Sequence, residues 1–126
     1  MLEHWHGGAI TRRATILDHL EPTAVASLHP REMRRHGLFP GDTIRVETRR
    51  GAIDIAARAD RDVAEGMVFI PFCFAEAAAN LLTNPRLDPY GKIPEFKFCA
   101  ARLRKADTQP GDGWGRDTVA PAPAAE

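Results

Sequence analysis

Cysteine is scarce: Cys73 and Cys99 are the only two in 126 residues. They are far apart, and each sits among apolar neighbours, Phe72-Cys73-Phe74 and Phe98-Cys99-Ala100. That spacing fits no zinc or redox motif. Both read as buried free thiols in a reducing compartment. Net charge is absent, since 17 basic and 17 acidic side chains cancel. Nucleic acids and anionic membranes both call for a basic surface, so neither is expected as a partner. No long hydrophobic run occurs either. The most apolar stretch, Met67 to Leu82, contains Pro71 and Glu76 and is too short to cross a bilayer. No secretory signal is visible at the N-terminus. The expectation is a cytoplasmic protein, or one carried by a partner.

Catalytic templates are missing too. There is no Gly-x-Ser-x-Gly elbow, no phosphate-loop Gly-x-x-x-x-Gly-Lys and no dinucleotide fingerprint. His4 and His6 are two apart, so on a strand both rings would share a face and serve a metal. A further ligand is not indicated, and loop hydrogen bonding is the preferred reading. Glu76 and Asp88 would make a carboxylate pair, but nothing fixes their geometry. Asp88 before Pro89 reads as an ordinary turn residue.

What is present describes one globular domain. A chain of 126 residues buries roughly two-thirds of its unfolded surface. Arg heavily outnumbers Lys, which suits phosphate or carboxylate recognition, although a base-composition bias accounts for it as well and is preferred.

Period-2 patterning marks the clearest element. Ile44, Val46 and Thr48 alternate with Arg45, Glu47 and Arg49; after Arg50-Gly51, Ile53, Ile55 and Ala57 alternate with Asp54, Ala56 and Arg58. Two such runs around a glycine turn predict a hairpin. Ala24 to Leu28, Met67 to Ile70 (buried, stopping at Pro71) and Phe96 to Leu103 read as further strands. "HPREMRRHGL" predicts a short helix with Pro30 in its first position and Gly37 just past its end. Residues 14–21 predict one or two helical turns, and Ala75 to Leu82 a short helix. "FPGD" predicts a type II turn at Pro40-Gly41. Residues 60–66 and 85–94 read as loops. From Ala106 onward, Pro, Gly, Ala and Asp dominate, so 1–105 is expected to be the domain and 106–126 a disordered tail. Trp114 in that tail is assigned no role. Short strands with small helices between them suggest a compact, mainly β barrel.

Binding chemistry remains. Gly7-Gly8 lets a ligand approach the backbone closely, and Thr11, Arg12 and Arg13 follow with donors for an anion. Asn80 offers two donors and two acceptors, enough to read the edge of a heterocycle. Taken alone, a glycine turn with solvated arginines and an Asn near a helix end explain the same residues.

Three stretches decide more when taken together: "LEHWHGGAITRR", "VASLHPREMRRHGLFPGDTIRVETRRGAIDIAARAD" and "GMVFIPFCFAEAAANLLTNPRLDPYGKIPEFKFCAARLR". In this order and spacing they resemble the C-terminal molybdopterin-dinucleotide-binding domain of the molybdenum/tungsten oxidoreductases. The likeness is nearest to formate dehydrogenase catalytic subunits and covers Leu2 to about Arg104. It implies a six-stranded double-psi β-barrel closing over bis-(molybdopterin guanine dinucleotide). It implies a cofactor-facing set of Leu2, Glu3, His4, Trp5, His6, Gly7, Gly8 and Thr11. With these it implies Phe72 packed beside the cofactor, Asn80 hydrogen-bonded to the pterin and Lys97 reaching its polar groups. A buried Asn is costly unless paired, and the implied pterin partner would explain Asn80 in so apolar a stretch.

The family usually carries Thr at the position of Gly7 and Met at that of Ile10, so one cofactor contact is expected to be weaker here. Its iron–sulfur cysteines, metal ligand and catalytic His and Arg lie in earlier domains, and the sequence opens inside the cofactor loop. The resemblance therefore implies a small subunit, or an excised domain, that completes the pocket of a formate dehydrogenase-like enzyme and is not catalytic alone. Its partner would be a large catalytic subunit holding Mo or W and iron–sulfur centres. The small subunit of a formylmethanofuran dehydrogenase, or a double-psi barrel used as a protein-binding module, are the alternatives.

Overall fold

The computed structural model describes residues 4–95 and 98–106. Its spine is the expected hairpin. Strand β2 (Thr43–Glu47) pairs antiparallel with β3 (Ala52–Ala59), placing Ile44 opposite Ile55 and Val46 opposite Ile53. These four side chains and Ala57 are buried, while Arg45, Glu47, Asp54 and Arg58 alternate with them in partly exposed positions. A pleated strand makes this separation automatic, because successive side chains leave by opposite faces. Each buried aliphatic side chain contributes about 1.5–3 kcal/mol. Across the other face, Arg45 meets Asp54 at 3.2 Å. The turn is tied by Thr48, whose Oγ1 accepts from the N–H groups of Arg50 and Gly51.

Strand β1 (Val25–Leu28) lies parallel to β3 on its free side. The chain travels from β1 to β3 through helix α2 (Pro30–Arg35) and β2. Helix α2 begins as expected: His29 Nδ1 accepts from the Arg31 N–H, and Pro30 opens the first turn. It also ends as expected. Gly37 adopts φ +64, and the N–H groups of Gly37 and Leu38 return to the carbonyls of Arg34 and Met33. This is the Schellman closure that a left-handed glycine permits. The Pro40-Gly41 turn follows, with Gly41 at φ +92 and the Asp42 N–H bonded to the Phe39 carbonyl.

Two short strands complete a five-stranded sheet of order β4–β1–β3–β2–β7: β4 (Val68–Phe69), antiparallel to β1, and β7 (Arg102–Lys105), antiparallel to β2. A separate ribbon pairs β5 (Asn84–Leu87) with β6 (Pro94–Glu95). Helix α1 (Thr15–Leu20) is the short helix expected near residues 14–21. The fold is mainly β with short helices. Among the described residues no pairing joins β4 to β7, so the recorded ladder is an open one.

Several expectations need correction. The Met67–Ile70 strand is neither long nor buried; only Val68 and Phe69 pair, at the sheet edge, and Phe69 is about half exposed. Pro71 lacks the N–H that would extend the ladder. The Ala75–Leu82 helix is two 3-10 turns, Ala75–Ala77 and Ala79–Leu82, broken at Ala78 in an extended conformation. Propensity is a weak prior that tertiary packing overrides. Here Phe74, Ala77 and Leu82 are the buried positions. The 85–94 loop contains the β5–β6 ribbon, where prolines are tolerated because neither strand is central. Of the expected Phe96–Leu103 strand, Phe96 and Lys97 lie outside the described residues, residues 98–101 are not strand, and the pairing begins at Arg102, set by Leu103 opposite Val46 and by the Arg104–Glu47 ion pair at 2.8 Å. Cys73 is buried as expected, whereas Cys99 is only partly so. The expected tail, apart from Ala106, lies outside the described residues.

Asp88 explains how the ribbon turns. Its carboxylate accepts from the N–H groups of Tyr90, Gly91 and Ile93. Those bonds, Ile93's the strongest, hold the carboxyl below the usual aspartate range. A lowered folded-state pKa stabilises the turn above the ordinary aspartate range. That contribution is lost as pH falls through the lowered value. Acidification should therefore release the Tyr90, Gly91 and Ile93 amides, read as faster exchange by NMR, before the β2–β3 amides respond. In Asp88→Asn this acid dependence should be gone.

Candidate functional site

The 3-10 segment and the N-terminal loop together line a cavity of about 480 Å³. One wall carries Gly7, Gly8, Arg12 and Arg13; the other carries residues 72–75, Ala78, Ala79 and Asn80. A second cavity of about 370 Å³ lies between Phe72, Asn80, Thr83, Asn84, Pro85 and Pro94. Phe72 and Asn80 line both. The alanines that read as helix formers have a different use: their short side chains leave the first cavity open.

Buried polar bonds shape the loop. His4 is 9% exposed. Its Nε2 lies 3.0 Å from the Glu21 carbonyl, and its Nδ1 lies 3.3 Å from Thr11 Oγ1. A carbonyl only accepts, so Nε2 carries the proton, and in the neutral ring Nδ1 accepts from the Thr11 hydroxyl. Thr11 Oγ1 in turn accepts from the Trp5 N–H at 3.0 Å. The Glu21 carboxylate is held by Arg58 at 2.8 and 2.9 Å, linking this chain of bonds to β3. Phe74, 1% exposed, anchors the other side. The His4 ring stands edge-on to it, and the Arg12 guanidinium lies over it at 4.7 Å.

Gly8 sits where no other residue fits well. It has φ +72, and a Cβ there would lie 2.9 Å from the Arg12 stem and 3.1 Å from the Cys73 carbonyl. Gly7 is the opposite case, with nothing within 4 Å of where a Cβ would stand. Opposite them, Gly51 in the hairpin turn lets the Leu81 carbonyl approach: a Cβ would come within 2.8 Å of it. The hairpin thus sets the height of the segment that presents Asn80.

The sequence-derived candidates divide into groups. Gly7, Gly8, Phe72 and Asn80 meet around the cavities. His4 and Thr11 stand behind the loop with their polar atoms engaged by the protein itself. Trp5 and His6 are exposed, stack edge-on at 4.5 Å and line neither cavity. Leu2, Glu3 and Lys97 lie outside the described residues. His4 and His6 do not share a strand face. The segment is a turn with His6 at φ 49, and among the described residues no cluster of three metal-ligating side chains occurs. Asn80 is exposed and not buried. Its side-chain amide makes no hydrogen bond among the described residues; only its carbonyl accepts, from Thr83. The desolvation cost of this Asn therefore arises only when something covers it. Cys73 lines the first cavity, but burial pushes its thiol pKa up, so it is a poor nucleophile there.

Of the three expected anion donors, only Arg13 is available. Thr11 is used by His4 and Trp5, and Arg12 is paired with Glu76. Arg13 is exposed, lines the cavity and has no side-chain partner among the described residues. The Arg12–Glu76 pairing has no signature in sequence, because 64 residues separate the two.

The two glycines should separate cleanly on substitution. Gly8→Ala, strained by its positive φ and by contact with Arg12, should lower stability by about 1–2 kcal/mol. Gly7→Ala should change it by less than about 0.5 kcal/mol. Urea denaturation followed by tryptophan fluorescence measures both, and equal effects would show that the loop geometry is otherwise.

Comparison with known proteins shows the family. The family model of the molydopterin dinucleotide binding domain matches residues 1–100. The F420-dependent formate dehydrogenase 1 subunit alpha of Methanococcus maripaludis is 40% identical over 102 residues. The F420-dependent formate dehydrogenase subunit alpha of Methanocaldococcus jannaschii is 38% identical over the same length. Each match covers 81% of this chain and 15% of the relative, so the chain spans under a sixth of the proteins it matches. Among solved structures, acetylene hydratase from Pelobacter acetylenicus superposes with a TM-score of 0.68 at 23% identity, covering 82% of this chain and 17% of that one. This last likeness concerns the fold. Over the greater part of its length, the chain belongs to the molydopterin dinucleotide binding domain family.

Proposed function

We propose that this chain forms one side of the binding site for bis-(molybdopterin guanine dinucleotide) in a formate dehydrogenase-like Mo or W oxidoreductase. It completes a pocket whose other side, with the metal ligand and iron–sulfur centres, belongs to a large catalytic partner. The observation that carries this reading is Asn80: a side-chain amide whose hydrogen-bonding positions are open among the described residues, set between two cavities that share Phe72. An elongated ligand with a heterocycle at the shared wall would use both cavities.

The residues present fit such a group. Gly7, with nothing within 4 Å of where a Cβ would stand, and the alanine-lined side leave room for a bulky ligand to approach the backbone. Asn80 supplies paired donors and acceptors for a heterocycle edge, and Phe72 supplies an apolar face. Arg13 supplies positive charge for the phosphates of a dinucleotide. When bound, the group supplies the two-electron chemistry between formate and CO₂. This chain's residues orient it and exclude water from one side. His4 and Thr11, given cofactor contacts by the resemblance, act in this reading by holding the loop. Closure of the sheet into a double-psi barrel belongs to the same proposal. It is supported by the parallel β1–β3 pair inside a mainly antiparallel sheet and by the fold likeness. Cytoplasmic placement belongs to the same proposal and rests on the two free thiols.

Replacing Asn80 and Lys97 together by Ala should abolish cofactor retention and formate oxidation in the assembled enzyme, with subunit assembly intact. Assembly is read by gel filtration, cofactor by metal analysis and activity by dye reduction. Full retention with wild-type turnover would contradict the proposal.

A further inference from the structure

Arg12 and Glu76 join the two walls of the first cavity. The guanidinium donates from Nη1 to Glu76 Oε2 at 3.0 Å and from Nη2 to Oε1 at 2.9 Å. Exposed ion pairs generally contribute little, but a two-pronged Arg–carboxylate pair fixes orientation as well as distance. Three more contacts hold the same side chain. Its guanidinium lies over the buried Phe74 ring, its stem covers Gly8 where a Cβ would collide, and its Nε stands 3.9 Å from Asp18 on α1. That Nε is buried without a hydrogen-bond partner among the described residues. Leaving that donor unpaired costs free energy, so the stabilising contacts of this side chain are its two-pronged pair with Glu76 and its packing on Phe74 and Gly8.

From this geometry we infer that the Arg12–Glu76 pair is a clasp that sets the separation of the cavity's two walls, with both residues acting as positioning residues. Glu76 belongs to the 3-10 turn Ala75–Ala77, directly before the segment carrying Asn80. Arg12 belongs to the turn Thr11–Arg13, shortly after Gly8. With the pair closed, the loop carrying Gly8 and the segment leading to Asn80 are tied together at the cavity; with it open, Gly8 loses the side chain pressed against it. The link to cofactor affinity rests on the functional reading above, whereas the clasp itself does not.

Three amides report on the walls: Gly8 N–H to the Trp5 carbonyl, Arg12 N–H to the Gly8 carbonyl and Ala77 N–H to the Phe74 carbonyl. Two report on the sheet and its flanks: Ala57 N–H to the Asp42 carbonyl and Asp60 N–H to the Leu28 carbonyl. In the full 126-residue chain without cofactor, Glu76→Gln should speed hydrogen exchange at the first three by about tenfold or more and leave the last two unchanged. Glu76→Asp, which keeps the charge, should recover part of the protection. Arg12→Lys, which keeps charge and stem but loses the two-pronged geometry, should behave like Glu76→Gln. Unchanged exchange at Gly8, Arg12 and Ala77 would overturn the clasp. So would a uniform rise that includes Ala57 and Asp60, since that is general destabilisation. In the assembled enzyme, Glu76→Gln should lower cofactor retention about threefold or more, a local loosening on the order of local-opening energies, with partial recovery in Glu76→Asp. Faster exchange with full retention would overturn the positioning role. A wild-type complex that never holds the cofactor would overturn the functional reading while leaving the exchange result standing.

Discussion

The antiparallel pairing of β2 with β3 is the constraint on which the other parts depend. Strand β3 is the only strand among those described that is flanked by both β1 and β2, and its buried Ile53, Ile55 and Ala57 supply much of the core. The turn that links it to β2 touches the Leu81 carbonyl through a position where only glycine leaves room. Its outward Arg58 holds Glu21, whose carbonyl receives the His4 ring. Both cavity walls therefore take their position from one hairpin. Without its register, one residue of slip would turn Arg45 and Asp54 inward and the isoleucines outward.

Polar groups in the site fall into two kinds. Those of His4, Thr11, Arg12 and Glu76 are consumed in bonds that hold the loop and the 3-10 segment in place. Those of Asn80 and Arg13 are left for something else. The proposed ligand-binding role uses both: bonds that fix the backbone and donors that remain open. Exposed apolar side chains point the same way. Trp5, Ile10, Phe72 and Leu81 are each at least two-fifths exposed, and they lie on or next to the segments that form the walls. Under the proposed function this surface would be covered by the ligand and its surroundings.

Much of the fold was legible because its signals are local. Alternation of Ile44 to Val46 and Ile53 to Ala57 gives the hairpin, Pro30 and Gly37 give the helix ends, and Pro40-Gly41 gives the turn. What was not legible depends on tertiary contacts. The run around Ala75 to Leu82 has helix-forming composition, but the burial of Phe74, Ala77 and Leu82 and the contact with Gly51 bend it into two 3-10 turns. The 84–95 ribbon was hidden by its prolines, and the pairing of β7 by the absence of a strong apolar period in Arg102 to Lys105. At the site, the resemblance named Gly8, Phe72 and Asn80, which the fold brings to the cavity walls. It did not distinguish the outward Asn80 from the inward His4 and Thr11, because composition carries no record of which way a polar side chain points. The Arg12–Glu76 pair had no local signal at all.

The most direct measurement is a mild affinity purification of the tagged chain from its native host, with mass spectrometry of what accompanies it and elemental analysis for Mo and W. A large iron–sulfur subunit together with either metal, close to one per complex, is the expected result. A chain recovered alone and free of both metals, under conditions that keep oxidoreductase complexes intact, would contradict the reading of this domain as one wall of a shared cofactor site.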